Sequence, residues 1–301
     1  MKSRINWVKN IRVICVKGMI KTTRTFGIEI EFLIDYEHEE ETFTYNENRD
    51  LIMDTLECDY DIPVIWNTYS HKTVPEWKLV TDASVSGSFS DGFELVSPIL
   101  TWDRIEEVSL ITNALESLNA YTNTTCGLHV HHDIADYRGE DIIRLLNLYI
   151  GAESLIDATM EPSRRTNQCS YAKSMVDVDV EKILESIDGF EFVMNRNLHP
   201  REVVSIIISF IKEKYGDSHG YHPRYMKLNF DAYRLYGTVE FRQHHGTIDY
   251  DDICQWILCS QQMVEVARCN GTIPKPELVD TLMDYIEQIN TTISSQVMVV
   301  E

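Results

Sequence analysis

Residues 237–247, GTVEFRQHHGT, limit what this chain can fold into more than any other stretch. Read as a strand, they turn Val239, Phe241 and Gln243 one way and Glu240, Arg242 and His244 the other. Ionisable groups on one strand face are costly to bury unless they are paired or hold something charged. A solvated sheet face would look the same, but three earlier stretches repeat the pattern. In residues 26–34, FGIEIEFLI, Glu29 and Glu31 share one face, while Phe26, Ile28, Ile30, Phe32 and Ile34 fill the other. Residues 127–134, GLHVHHDI, set His129, His131 and Asp133 against Leu128, Val130 and Ile134, with His132 on the apolar side. Residues 227–231, KLNFD, set Lys227, Asn229 and Asp231 against Leu228 and Phe230. Four such strands predict a sheet backed by helices on its apolar face, with the other face lining a polar cavity.

The 301 residues, 44% of them hydrophobic, can bury a sizeable core as one large domain or two small ones. With no repeat or linker in sight, one domain is the economical reading. A formal charge of −21 argues against a general nucleic-acid binder. No apolar run is long enough to span a bilayer. Seven cysteines without CxxC spacing read as reduced thiols of a cytoplasmic protein. Residues 1–24 hold seven Lys or Arg and no acid. They predict a loose basic arm over 1–23 ahead of a domain over 24–301, with Met19 as a candidate natural start. Strands are expected at 64–66, 77–80 and 92–99. Helices are expected at 47–58, 103–120, 140–160, 180–187, 200–215, 249–269 and 277–293. Residues 161–174, with Arg164 and Arg165, read as a loop over the cavity. His219 and His222 lie among turn residues, a poor setting for a metal site.

Glu29, Glu31, Glu94 and Glu240 would gather four carboxylates in one place, where they would raise each other's pKa values. A hard divalent cation resolves that repulsion, and Mg²⁺ keeps open positions for phosphate. A nitrogen ligand from His129 suits Mn²⁺ or Zn²⁺ better than Mg²⁺. Arg242, two residues from Glu240, offers a planar guanidinium suited to phosphate, although a plain salt bridge to Glu240 is the commoner arrangement. No Gly-rich phosphate loop occurs.

In this order and spacing, FGIEIEF, GFELVSPI, CGLHVHH and VEFRQHHGT resemble the amidoligases. These are carboxylate–amine ligases with the glutamine synthetase catalytic fold, a group that includes glutamate–cysteine ligases. The resemblance spans about residues 24–247, and Asp82 and Ser84 in TDASVSG look like the family's loop. It implies an α+β domain with a curved, mostly antiparallel sheet and helices on its outer face. It also implies ATP with Mg²⁺ or Mn²⁺, an acyl-phosphate intermediate, and attack by an amine to form an amide or peptide bond. Carried over by position, Glu29 and Glu31 match the ExE metal ligands and Glu94 the carboxylate of the next strand. His129 matches the first His of HxH, at metal or phosphate, with His131 beside the nucleotide. Glu240 and Arg242 match the ExR pair, ligand and phosphate clamp. Glu31, Glu240 and Arg242 would act in catalysis, and Arg164 and Arg165 would touch phosphate or substrate carboxylate. The substrates would be an amine and a carboxylate from an amino acid, a peptide or a protein end, with no nucleic acid or membrane partner. His245 would be structural. The alternatives are a phosphotransferase of the same fold and a metal-dependent hydrolase. The hydrolase has no need of a phosphate clamp such as Arg242.

Overall fold

The computed structural model describes residues 22–35, 37–38, 41–67, 72–186, 199–215 and 222–268. Residues 1–21 of the expected arm, His219 and the helix expected over 277–293 lie outside the described residues.

The period-two stretches become the middle of one sheet. The strands are β1 (Phe26–Asp35), β4 (Val64–Trp66), β5 (Trp77–Val80), β6 (Ser90–Val96), β7 (Gly127–Asp133), β8 (Leu228–Asn229) and β9 (Thr238–His245). A separate two-residue ladder pairs β2 (Glu37–His38) with β3 (Glu41–Thr42). The sheet order is β4-β5-β6-β1-β7-β9-β8, antiparallel throughout except for the β4–β5 pair. Each strand alternates, so one face is buried core and the other carries the acids and imidazoles. On β1, Phe26, Ile28, Ile30, Phe32 and Ile34 are all buried on the core side.

The helices are α1 (Tyr45–Asp54), α2 (Ile105–Ser117), α3 (Gly139–Thr159), α4 (Val180–Ser186), α5 (Pro200–Tyr215), α6 (Ala232–Tyr236) and α7 (Tyr250–Ala267). The chain is therefore α+β. Helix α1 starts at a capping box in which Thr44 and Glu47 satisfy each other's backbone donors. Helices α3 and α7 cover the apolar face. Tyr149 of α3 and Trp256 of α7 meet Phe241 of β9 at ring distances of 5.9 and 6.3 Å. Full burial of a side chain such as Phe241 contributes about 1.5–3 kcal/mol. At the start of β1, Arg24 pairs with Asp136 and with Glu265 of α7, both at 2.8 Å.

Two side chains depart from simple alternation. Leu128 pairs with His244 but Val130 pairs with Phe241, so β9 carries one extra residue there. This β-bulge reverses the facing of the residues beyond it. His244 leaves the Glu240 and Arg242 row, against expectation, and its ring packs 5.2 Å from that of Trp256. Lys227 is the second departure. It stands just ahead of the two-residue β8, outside the ladder that enforces alternation. Its side chain does not face the cavity with Asn229. It is fully buried, and its Nζ lies 3.0 Å from Glu153 and 2.5 Å from Asp157 of α3.

Candidate active site

The registers place the ionisable residues beside one another across five strands. Glu94 lies opposite Glu31, Glu29 opposite His129, His131 opposite Glu240, and Asn229 opposite Glu240. Like charges directly opposite on an antiparallel pair destabilise it, so the Glu31–Glu94 pair is a local cost of the fold. Together these residues line a cavity of about 550 Å³ with Asp82, Tyr171, Arg224, Tyr225 and Arg242, while Glu31 sits buried in its floor.

Most of these side chains are held by a specific contact. Glu31 accepts a hydrogen bond from the Gly127 backbone N–H at 2.5 Å. Glu29 Oε2 is 3.0 Å from His129 Nδ1, and His131 Nε2 is 3.4 Å from Glu29 Oε1. His131 Nδ1 meets Thr238 Oγ1 at 3.0 Å. Glu240 accepts from Asn229 Nδ2 at 2.6 Å and pairs with Arg242 Nη1. Arg242 Nε donates to the Tyr171 carbonyl at 3.0 Å, which tethers the loop after α3 to β9. Asp82 accepts from the backbone N–H of Ser84 at 2.6 Å, a side-chain-closed turn that holds its loop at the cavity rim. Gly127 is required by close approach. A Cβ there would lie 2.7 Å from Arg164 Nη2 and 3.0 Å from His129 Nε2.

The electrostatics are uneven. Burial, then the neighbouring Glu29, Glu31 and Asp82, push the Glu94 carboxyl well above the usual range. Burial also raises Glu31. Against the opposing effect of burial, hydrogen bonds from His129 and His131 hold Glu29 well below it. Against burial again, Arg242 lowers Glu240. Burial opposes charge on His131, but Glu240 and Glu29 raise its pKa. Three sets of ligand atoms lie within 4.8 Å of one another: Glu29, Glu94 and His129; Glu29, His131 and Glu240; Glu31, Asp82 and Glu94. This donor chemistry, mostly carboxylate oxygen with one or two imidazoles, fits a hard divalent cation.

Seven of the residues singled out in the sequence thus meet in one place: Glu29, Glu31, Glu94, His129, His131, Glu240 and Arg242. Arg164 and Arg165 do not join the cavity wall. Arg164 is buried behind Gly127, where it donates to the Cys126 carbonyl. Arg165 bonds the Met160 carbonyl at 2.8 Å and lines a different cavity, on the helix side of the sheet. Adjacent arginines in a turn point apart, and the sequence holds no signal for which side each takes. His222 caps the short turn Pro223–Tyr225, accepting from the Arg224 N–H, and its ring lies 5.8 Å from that of Tyr225. Arg224 and Tyr225 line the acidic cavity, and sequence reasoning missed them because they lie in a turn without periodicity.

A family model described as "putative amidoligase enzyme" matches residues 22–264. No curated protein matches the chain.

Proposed function

The chain belongs to the amidoligase family, and on that premise we propose that it joins a carboxylate to an amine with ATP through an acyl phosphate. The observation that carries this reading is Arg242, held at the edge of a carboxylate-lined cavity by Glu240 and the Tyr171 carbonyl. Such pairing of acids with one fixed guanidinium suits phosphoryl transfer, where catalysis is mostly positioning and charge neutralisation. Glu29, Glu31, Glu94, His129 and Glu240 would hold Mg²⁺ or Mn²⁺. The cation would neutralise the carboxylates and the phosphate oxygens that approach them. Arg242 orients the transferred phosphoryl group toward the substrate carboxylate. His131, with Nδ1 turned to Thr238, would present Nε2 to bound phosphate. Asn229 fixes the Glu240 carboxylate by taking up one of its oxygens. The amine then attacks the acyl phosphate carbonyl, and inorganic phosphate leaves.

The test incubates the protein with ATP, Mg²⁺ or Mn²⁺, and pools of carboxylates and amines, read by mass spectrometry. ADP, phosphate and a condensed product in one pool are expected. A phosphorylated product that no amine displaces would turn the assignment to a phosphotransferase. Glu240→Gln should weaken divalent-metal affinity. Arg242→Ala should keep it and slow turnover by about 10²–10³-fold. If both variants keep wild-type metal affinity and lose only stability, the Arg242–Glu240 pair is a structural salt bridge.

A further inference from the structure

A second constellation lies on the helix side of the sheet, where β9 ends. Past the bulge, the imidazoles of His244 and His245 stack with ring centres 4.4 Å apart and planes 20° apart. Neighbours on a regular strand would point to opposite faces, so the bulge and the strand end together bring both rings to one side. Both face Asp252 in the first turn of α7. His244 Nε2 is 3.6 Å from Asp252 Oδ1, and His245 Nε2 is 3.7 Å from Asp252 Oδ2. The three ligand atoms lie within 4.8 Å of one another.

These separations exceed the roughly 2.7–3.2 Å of an N–H···O hydrogen bond. They come close to the spacing of two ligands held at about 2.1 Å from one ion, which stand about 3.4–3.6 Å apart at tetrahedral to trigonal angles. The other nitrogen of His244, Nδ1, donates to the His245 carbonyl at 2.8 Å. That bond takes up Nδ1 and leaves Nε2 as the atom turned to the carboxylate, the orientation a metal-ligating histidine adopts. A cavity of about 340 Å³, walled by Met160, Glu161, Arg165, Trp256 and Cys259, opens on the three residues and leaves room for further ligands.

We propose that His244, His245 and Asp252 form a site for a divalent transition ion of the Zn²⁺ class, separate from the acidic cavity. Two imidazoles and one carboxylate select such an ion over Mg²⁺, whereas the acidic cavity, with more carboxylate oxygen in its donor sets, leans further toward the harder Mg²⁺ and Mn²⁺. The ion would tie the end of β9 to α7.

The test titrates the full chain with Zn²⁺ alone, by calorimetry and by the rise in melting temperature. Four proteins are compared: wild type, Asp252→Asn, His245→Gln and Glu240→Gln. Loss of an outer-shell partner already weakens metal sites by about 10–100-fold. A drop in Zn²⁺ affinity at least that large is expected in Asp252→Asn and in His245→Gln, with the same Zn²⁺ site intact in Glu240→Gln. His245 is about one-fifth exposed, at 21% of its side chain, so its variant keeps the test open if Asp252→Asn fails to fold. Zn²⁺ binding unchanged by both variants, or lost only in Glu240→Gln, would overturn the proposal.

Discussion

Acidifying the protein from pH 8 to pH 5 is expected to remove about 2 kcal/mol of stability through one side chain, His132. The residue is fully buried on the core face of β7, between the rings of Phe26 at 6.4 Å and Phe241 at 5.8 Å. Ser260 Oγ donates to the Trp256 carbonyl at 2.7 Å, so it accepts the Nε2–H of His132 at 2.8 Å. The Nδ1 atom of His132 is buried without a hydrogen-bond partner. A proton there would be an unpaired charge in the core. Burial, reinforced by Arg24 and His131, pushes the imidazole down to about 3. An unfolded chain takes up that proton below about 6.5. Between those values the unfolded state binds more protons, so stability is present at neutral pH and falls as pH falls. At about 1.36 kcal/mol per unit, the interval from 6.5 to 5 amounts to about 2 kcal/mol. Urea unfolding of wild type and His132→Phe at pH 8, 6.5 and 5 isolates this contribution, because losing the Ser260 bond shifts the variant equally at every pH. The stability difference should move about 2 kcal/mol in favour of the variant between pH 8 and pH 5. Parallel curves would show that His132 is not a neutral buried imidazole.

Lys227→Met should destabilise by about 3–5 kcal/mol, since it leaves Glu153 and Asp157 buried without their cation. Urea denaturation checks this, and a loss under 1 kcal/mol would mean that the backbone donors of Met175 and Thr166 suffice for the two carboxylates. Gly127→Ala should cost about 1–3 kcal/mol through overpacking, because its Cβ would crowd the buried Arg164 guanidinium and His129 ring. It should also weaken divalent-metal affinity by displacing His129. Calorimetry with Mn²⁺ reads this, and wild-type affinity with unchanged melting would refute the close approach.

The parts of the fold written as period-two patterns were legible in the sequence. Residues 64–66, 77–80 and 200–215 fall within a residue of their elements, and the polar faces of β1, β6, β7 and β9 bring Glu29, Glu31, Glu94, His129 and Glu240 together. Legibility failed where the local rule was broken by something non-local. The β9 bulge is set by pairing with β7, so nothing around His244 announces that it leaves the Arg242 row. Lys227 reads as one of the polar row with Asn229 until α3 supplies two carboxylates from far along the chain. Helix α6 has five residues, too few for a period to show. Its end is marked by Gly237 at φ 72°, a left-handed position that glycine takes without strain.

The placing of β9 between β7 and β8 bears on how the molecule comes to exist at all. The central pairings, Glu31 with Glu94 and Gly27 with His131, already join distant segments, and such non-local contacts slow folding. A nascent chain that has emerged only as far as α5 carries most of the acids of the cavity but neither of its arginines, Arg224 and Arg242. Its β7 edge then stands open, offering unpaired backbone to any neighbouring strand. Only when residues 238–245 arrive are that edge closed and Arg242 set beside the carboxylates, in one step. The interval between the emergence of α5 and that of β9 is therefore the one in which an open β7 edge is expected to favour aggregation.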